Sequence, residues 1–344
     1  MIAKNMNMKI DTVNVAIVGY GWWGSTLASM IKANPRFNIK LVVDNNEEAS
    51  ARAAADGYQT ANTLEVALED QDIQAIFLCT PHSEHAFQLL ACAFSNKHTF
   101  CEKPLCPTLN EALKAVKLFE QKNLILGVGH DLRFSPSIID LIKSVKNNEL
   151  GRILQINGVF SHNKFLNLPS THWRLSPLES PVGPFTSGGI HLMDIAIAIL
   201  GPARSVLARQ SNSTELLQNG DSLSIMLNFN SGATALFSNL LTSQFDNRIS
   251  VYGTKGWVEL RQNSHKEHIG KWSLLKNLGD TSLIEEIIGE ENGVASNLEA
   301  FARAIIDSQP YPIMTYDILY GIAAYEGIID SLKTNRVESI KGII

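Results

Sequence analysis

The stretch Val15–Ala16–Ile17–Val18–Gly19–Tyr20–Gly21–Trp22–Trp23–Gly24 narrows the fold more than any other part of the chain. An apolar, β-branched run enters a turn with glycines spaced G-x-G-x-x-G, and a helical pattern follows. A second apolar run, Ile39–Val43, then ends on Asp44, twenty residues beyond Gly24. A dinucleotide site needs this arrangement. Gly19 permits a tight turn, Gly21 lets backbone approach a pyrophosphate, and Gly24 lets the helix sit close on the strand. Tyr20, Trp22 and Trp23, between those glycines, fall at the same cofactor. Amides at the helix N-terminus face phosphate charge, and the aligned peptide dipoles favour it. Asp44 would accept hydrogen bonds from the adenine-ribose hydroxyls, whereas a 2′-phosphate would meet a carboxylate, so NAD is expected ahead of NADP. The glycines alone would also fit an ordinary strand-to-helix loop. Asp44 would also serve as a strand-end acid, or as the cap of the helix that Glu47 and Glu48 open.

At 344 residues the chain exceeds one ordinary core, and two domains are expected. Hydrophobic residues at 45% against 18% charged residues exclude a disordered chain. A net charge of −5 offers no basic stripe for nucleic acid. Residues 1–10 carry lysines without an apolar segment, which suggests a flexible tail and no secretory signal. No apolar run approaches the roughly 20 residues of a membrane span, and the best, Ile190–Leu200, contains Asp194. A cytoplasmic protein is expected. Cys79, Cys92, Cys101 and Cys106 all lie in the first third, which suits reduced thiols better than a disulfide framework. Cys79, His82 and His85 have a spacing open to metal, but a strand end and helix start explain them equally, and no metal is expected.

The first third alternates strands with helices. Strands are expected at Val13–Val18, Ile39–Val43, Ala75–Cys79, Thr99–Glu102 and Leu124–Val128. Helices are expected at Trp22–Ala33, Glu47–Ala55, Leu64–Glu69, Glu84–Phe94 and Leu109–Gln121. Runs such as Ala75–Leu78, apolar on both faces, belong to parallel strands covered by helices on each side. This predicts a doubly wound α/β sheet with its ligand in the crevice at the carboxyl ends of the strands. After about residue 150 the pattern alternates instead. Ser222–Phe229, the turn Asn230–Gly232 and Ala233–Leu241 form one hairpin, and Ile249–Tyr252 with Trp257–Leu260 form another. Helices are expected at Gly189–Leu200, Asn297–Asp307 and Asp317–Thr334, and a long loop or lid at His265–Asn292. The second part therefore reads as α+β with a largely antiparallel sheet.

Four local features carry chemistry. Thr80–Pro81 with His85 would border the nicotinamide side of the crevice. Glu102–Lys103–Pro104 places an ammonium at the same lip, while Pro104 holds Lys103 extended. Gly188–Gly189–Ile190–His191–Leu192–Met193–Asp194 puts His191 and Asp194 on one helix face. The helix start favours a neutral imidazole able to accept a proton. His172–Trp173–Arg174 and Arg133 would give a polyhydroxylated ligand forked donors and a flat wall. Each feature has a plain structural alternative: strand punctuation, a solvated turn, a core histidine, a buried tryptophan or an ion pair.

Together these residues make the chain resemble the Gfo/Idh/MocA family of glucose-fructose and inositol-type dehydrogenases over nearly its whole length. The resemblance rests on the glycine turn with Asp44, Thr80–Pro81 with His85, Glu102–Lys103–Pro104, Trp173–Arg174, the glycine–histidine–aspartate helix and the closing Tyr311–Pro312. It implies an NAD(P)-binding Rossmann domain over 11–133 and a C-terminal substrate-binding and oligomerisation domain over 134–344, whose last helix packs back on the first. It implies oxidation or reduction of a sugar, inositol or related polyol, and a homodimer or homotetramer formed through the C-terminal sheet. Lys103 matches the family's active-site lysine and His191 its catalytic histidine. Many members carry aspartate four residues before that histidine; here the position is Ser187, which cannot share a proton in the same way. A non-catalytic dinucleotide-binding sensor, or an enzyme that uses NAD transiently for elimination or epimerisation, are the alternative functions.

Overall fold

In the structure, a computed structural model, residues 11–266, 269–279 and 282–343 are described. The tail expected at 1–10 lies outside them. The first strands are β1 (Val13–Val18), β2 (Phe37–Val43), β3 (Thr60–Ala61), β4 (Ala75–Leu78), β5 (His98–Cys101) and β6 (Leu126–Val128). They form one parallel sheet in the order β3-β2-β1-β4-β5-β6. The helices between them are α1 (Trp22–Ala33), α2 (Glu47–Ala55), α3 (Leu64–Glu69), α4 (His82–Phe94) and α5 (Leu109–Gln121). All four residues of β4 are completely buried, as a central strand with helices on both faces requires. Chain direction across the sheet reverses between β1 and β4, which opens a crevice beyond their carboxyl ends. Strands β4 and β5 each stop one residue short of expectation, so Cys79 and Glu102 sit on loops at that crevice.

Helix α6 (Pro136–Lys146) leads into the second half. Its elements are β7 (Ile153–Ser161), α7 (Ile190–Leu200), β8 (Ala203–Ser211), β9 (Ser222–Phe229), β10 (Thr234–Leu240), β11 (Asp246–Gly253), β12 (Gly256–Lys266), β13 (Ile269–Leu278), β14 (Ile284–Glu291), α8 (Gly293–Ile306), α9 (Thr315–Thr334) and β15 (Glu338–Ser339). The sheet order is β14-β13-β12-β11-β7-β10-β9-β8-β15, antiparallel except for the β7–β10 pair. Leu223, Ile225, Leu227, Ala235 and Phe237 turn one face into a core shared with α7 and the second half of α9. Ser224 and Leu236 are exposed on the opposite face. Helix α8 and the first half of α9 belong to the other core: Phe301 meets Phe77 and Phe100 edge-on at 5.6 Å each.

The expected loop or lid at His265–Asn292 is corrected. Its described residues continue the sheet: β12 runs to Lys266, and β13 and β14 pair antiparallel beyond it. Register shifts at Gln262/Ser264 and Trp272/Ser273 break the period-two pattern, and β14 is exposed along most of its length. The alternation that marks a strand was therefore missing from the sequence.

Candidate active site

The glycine turn is built for close approach. Gly19 has φ +92°, and a Cβ there would lie 2.8 Å from the Cys79 carbonyl carbon; a Cβ on Gly24 would collide with the Gly19 carbonyl oxygen. Gly21 caps α1 with no side-chain hydrogen bond, and open space surrounds its Cβ direction. That cradle fits a diphosphate bridged onto a helix N-terminus. The Asp44 carboxylate accepts from the Tyr20 amide at 2.6 Å and the Asn46 amide at 2.8 Å, at the outer end of the turn. Asn46, rather than Asp44, caps α2 through the Ala49 amide. Tyr20 contributes its amide; its ring is buried and its hydroxyl donates to Asp56 at 2.7 Å.

Past the turn a cavity lies between the two halves, walled by Trp22, Trp23, Thr80, Glu102, Lys103, Trp173, Arg174, Ser187 and His191 among others. Lys103 crosses it. Its Nζ donates to the carbonyls of Thr186 at 3.0 Å and Ser187 at 2.9 Å. These carbonyls belong to a π-helical turn, Phe185–Gly189, which runs directly into α7. Burial lowers the Lys103 pKa, while Glu102 and Asp131 oppose that. Burial pushes the Glu102 carboxyl up to about 7, with Lys103 and the Trp23 indole favouring its charge. Gly129 leaves the room that this carboxylate fills, since a Cβ there would come within 2.6 Å of both its oxygens.

His191 is the second residue of α7, yet the preceding π-helical turn means that no open helix end lies beneath it. The dipole argument made from the sequence is corrected accordingly. Its Nδ1 instead lies 3.1 Å from Asp131 Oδ1, and the His130 ring meets it edge-on at 5.6 Å. Burial pushes the Asp131 carboxyl up to about 6, opposed by Lys103. Ser187 also lines the cavity, but its hydroxyl is engaged by other partners: it accepts from His162 Nε2 at 3.0 Å and donates to the Pro184 carbonyl at 3.2 Å. His162 Nδ1 accepts from the Lys164 amide at 3.3 Å, and burial beside Lys164 and Lys103 lowers its pKa to about 4. It is a neutral, fully engaged imidazole.

Three expected positions fall away from the cavity. Arg133, expected at substrate, is buried with its fork spent on Asp194 (Nε and Nη2 both 2.8 Å) and its other nitrogen 3.1 Å from Asp317. It pins the Asp131–Phe134 turn to α7 and α9, and Asp194 thereby serves Arg133, not His191. His85, expected at cofactor, is fully buried, with Nδ1 2.8 Å from the Pro104 carbonyl and Nε2 3.1 Å from the Thr80 carbonyl. It shapes the lip from behind. Pro81 opens α4 outside the cavity wall, while Thr80 lines it and donates to Gln88 at 2.6 Å.

Trp173 and Arg174 do reach the cavity. The guanidinium lies 4.2 Å over the indole, and the His82 ring meets Trp173 edge-on at 4.9 Å. Glu179 ties this segment to the start of α4: its carboxylate accepts from Ser83 Oγ at 2.8 Å and its carbonyl from His82 Nδ1 at 2.8 Å. Asp131, His162, Asn247 and Gln262 also line the cavity and were not singled out from the sequence, while His82, also at the wall, was weighed there only as a metal ligand. Asp131 had no local signal, because its partner lies on another element. Asn247 and Gln262 had none, since inward polar residues on strands resemble any others.

A glycine-cradled crevice facing a half-buried lysine and a buried histidine is an arrangement suited to a dinucleotide-dependent oxidoreductase. Residues 13–130 match the oxidoreductase family with an NAD-binding Rossmann fold, and residues 139–259 match the GFO/IDH/MocA C-terminal domain. The chain belongs to the Gfo/Idh/MocA family of NAD(P)-dependent oxidoreductases. Among curated relatives, it is 25% identical to 1,5-anhydro-D-fructose reductase of Ensifer adhaerens, over 88% of this chain and 91% of that protein. It is 29% identical to myo-inositol 2-dehydrogenase of Thermotoga maritima, over 72% and 74%. Aldose-aldose oxidoreductase of Caulobacter crescentus has a similar fold, with TM-score 0.83, 21% identity and coverage of 96% and 100%.

Proposed function

We propose that this chain moves hydride between NAD and a carbinol carbon of a sugar, inositol or related polyol, with Lys103 and His191 handling the hydroxyl proton. The observation that carries this is their convergence, from the end of β5 and the start of α7, on one cavity adjoining the glycine turn. Nicotinamide, when bound, supplies the hydride acceptor or donor. Two of the three Lys103 ammonium protons are held by carbonyls, so the third is aimed rather than free to swing, and it can bond the reacting oxygen. His191 takes the hydroxyl proton on oxidation and returns it on reduction. Aromatic walls from Trp173, Phe160 and Phe165, with the side-chain amides of Asn247 and Gln262, suit a ligand with both C–H faces and hydroxyls. The substrates named for the relatives above support the same class.

Asp44 at the ribose end of the turn favours NAD over NADP. Four free cysteines suit a reducing cytoplasmic setting. The open sheet face bearing Ser224, Met226, Leu236 and Tyr252 is where a second copy would pack to give a homodimer or homotetramer. The test is absorbance at 340 nm with NAD or NADP and a panel of aldoses, anhydrosugars and inositols. Reduced cofactor should form with at least one panel member, and Lys103→Met should abolish it. Product formation with no net reduced cofactor would instead favour transient use of NAD.

A further inference from the structure

We propose that Asp131 is the positioning carboxylate of His191, standing in from a different element for the aspartate that Ser187 replaces. The inference rests on the proposed role of His191 as proton carrier. Three observations support it. Asp131 Oδ1 lies 3.1 Å from His191 Nδ1, closer than any other carboxylate among the described residues. Ser187 cannot serve, because its hydroxyl is engaged by His162 and Pro184. Asp194, three residues along the same helix, is committed to Arg133 through both carboxylate oxygens.

The chemistry follows from which nitrogen is held. A carboxylate 3.1 Å from Nδ1 favours the tautomer with its proton there, which leaves the neutral ring's lone pair on Nε2 for a substrate hydroxyl. When that proton arrives, the imidazolium is stabilised by the carboxylate beside it. No electrons move at Asp131, and it need not gain the proton itself. The turn that carries Asp131 is held rigid by Arg133, whose bonds reach α7 and α9, so the carboxylate and the imidazole are fixed to the same scaffold. Other charged or titratable groups near the ring are Lys103 and Glu102 from the β5 loop, His130, the Arg133–Asp194–Asp317 cluster, and His162 from β7. Of these only Asp131 is in ion-pairing contact with it.

The experiment compares wild type with Asp131→Asn, Asp131→Asn/Ser187→Asp and His191→Gln in the full chain. One arm measures kcat and KM on the panel substrate that turns over. The other follows the His191 ring nitrogens by NMR on ¹⁵N-histidine-labelled protein, assigned by their loss in His191→Gln, and needs no substrate. Asp131→Asn should lower kcat about tenfold or more with KM within about threefold, and should shift the His191 titration to lower pH. Adding Ser187→Asp should recover most of that kcat. An Asp131→Asn protein with unchanged kcat and an unmoved His191 titration would overturn the proposal. Full turnover in His191→Gln would instead remove the proton-carrier role beneath it, a separable outcome.

Discussion

The two walls of the cavity are put together differently. The cofactor wall comes mainly from two short contiguous stretches, residues 15–24 and 101–104, each leaving a parallel strand at its carboxyl end. The facing wall takes His162 from the end of β7, Ser187 and His191 from the π-turn and α7, Asp131 from a 3-10 turn, and Asn247 and Gln262 from neighbouring strands. The first wall presents mainly backbone, the glycine turn, with the Lys103 side chain crossing from it to the second. The second works through side chains brought together by long-range packing. Backbone function demands residue types at fixed spacing; side-chain function leaves each residue free to come from anywhere.

If that contrast is right, substitutions at the glycine turn and Asp44 should change cofactor binding, whereas those at Lys103, whose ammonium crosses to Thr186 and Ser187, and on the facing wall should change turnover. The largest effect is expected for Lys103→Met, with turnover reduced by about 10³-fold or more while NADH affinity by calorimetry stays within about threefold. A parallel loss of affinity would mean that Lys103 belongs to the cofactor wall alone. Next comes Arg133→Met, which strands buried Asp194 and should cost about 3–5 kcal/mol in urea unfolding. Burial opposes the Asp194 charge, but Arg133 outweighs it and holds the carboxyl below its usual range. That stabilisation is present above the unfolded pKa and is lost as pH falls through the folded one. Arg133→Met should therefore flatten the acid side of the stability profile, and an unchanged KM in folded protein would place Arg133 outside the substrate contacts.

Smaller effects test the cofactor wall. Asp44→Ala should weaken NAD binding about tenfold and narrow the gap to NADP, measured as the ratio of dissociation constants. Equal losses for both cofactors would remove Asp44 from ribose recognition. For pH, kcat/KM should fall on the acid side with a midpoint between about 6 and about 7, as half-buried Asp131 and Glu102 take up protons. A flat profile down to pH 5 would detach both carboxyls from the chemistry. At the sheet, Leu236→Arg should lower the sedimenting mass if the open face joins copies.

The same contrast explains what was legible in the sequence. Strands β1 and β4 declared themselves because parallel strands covered on both faces are continuously apolar. Lys103 and His191, which both line the cavity, were singled out through local motifs. Strand β3, two residues long, was too short for a pattern, and β13 and β14 were concealed by register shifts and exposure. Arg133 was misplaced because a lone arginine beside a phenylalanine looks the same whether it meets a ligand or a buried aspartate sixty-one residues away. Asp131 was missed for the reverse reason: its partner lies on another element, and only the folded chain brings His191 to it.

The most direct measurement is deuterium transfer from reduced cofactor labelled at nicotinamide C4 into a keto-sugar or inosose, read by mass spectrometry of the product. Wild type should yield product one mass unit heavier, and Lys103→Met should not. Cofactor that binds tightly while no member of the panel gains the label would contradict hydride transfer at this cavity.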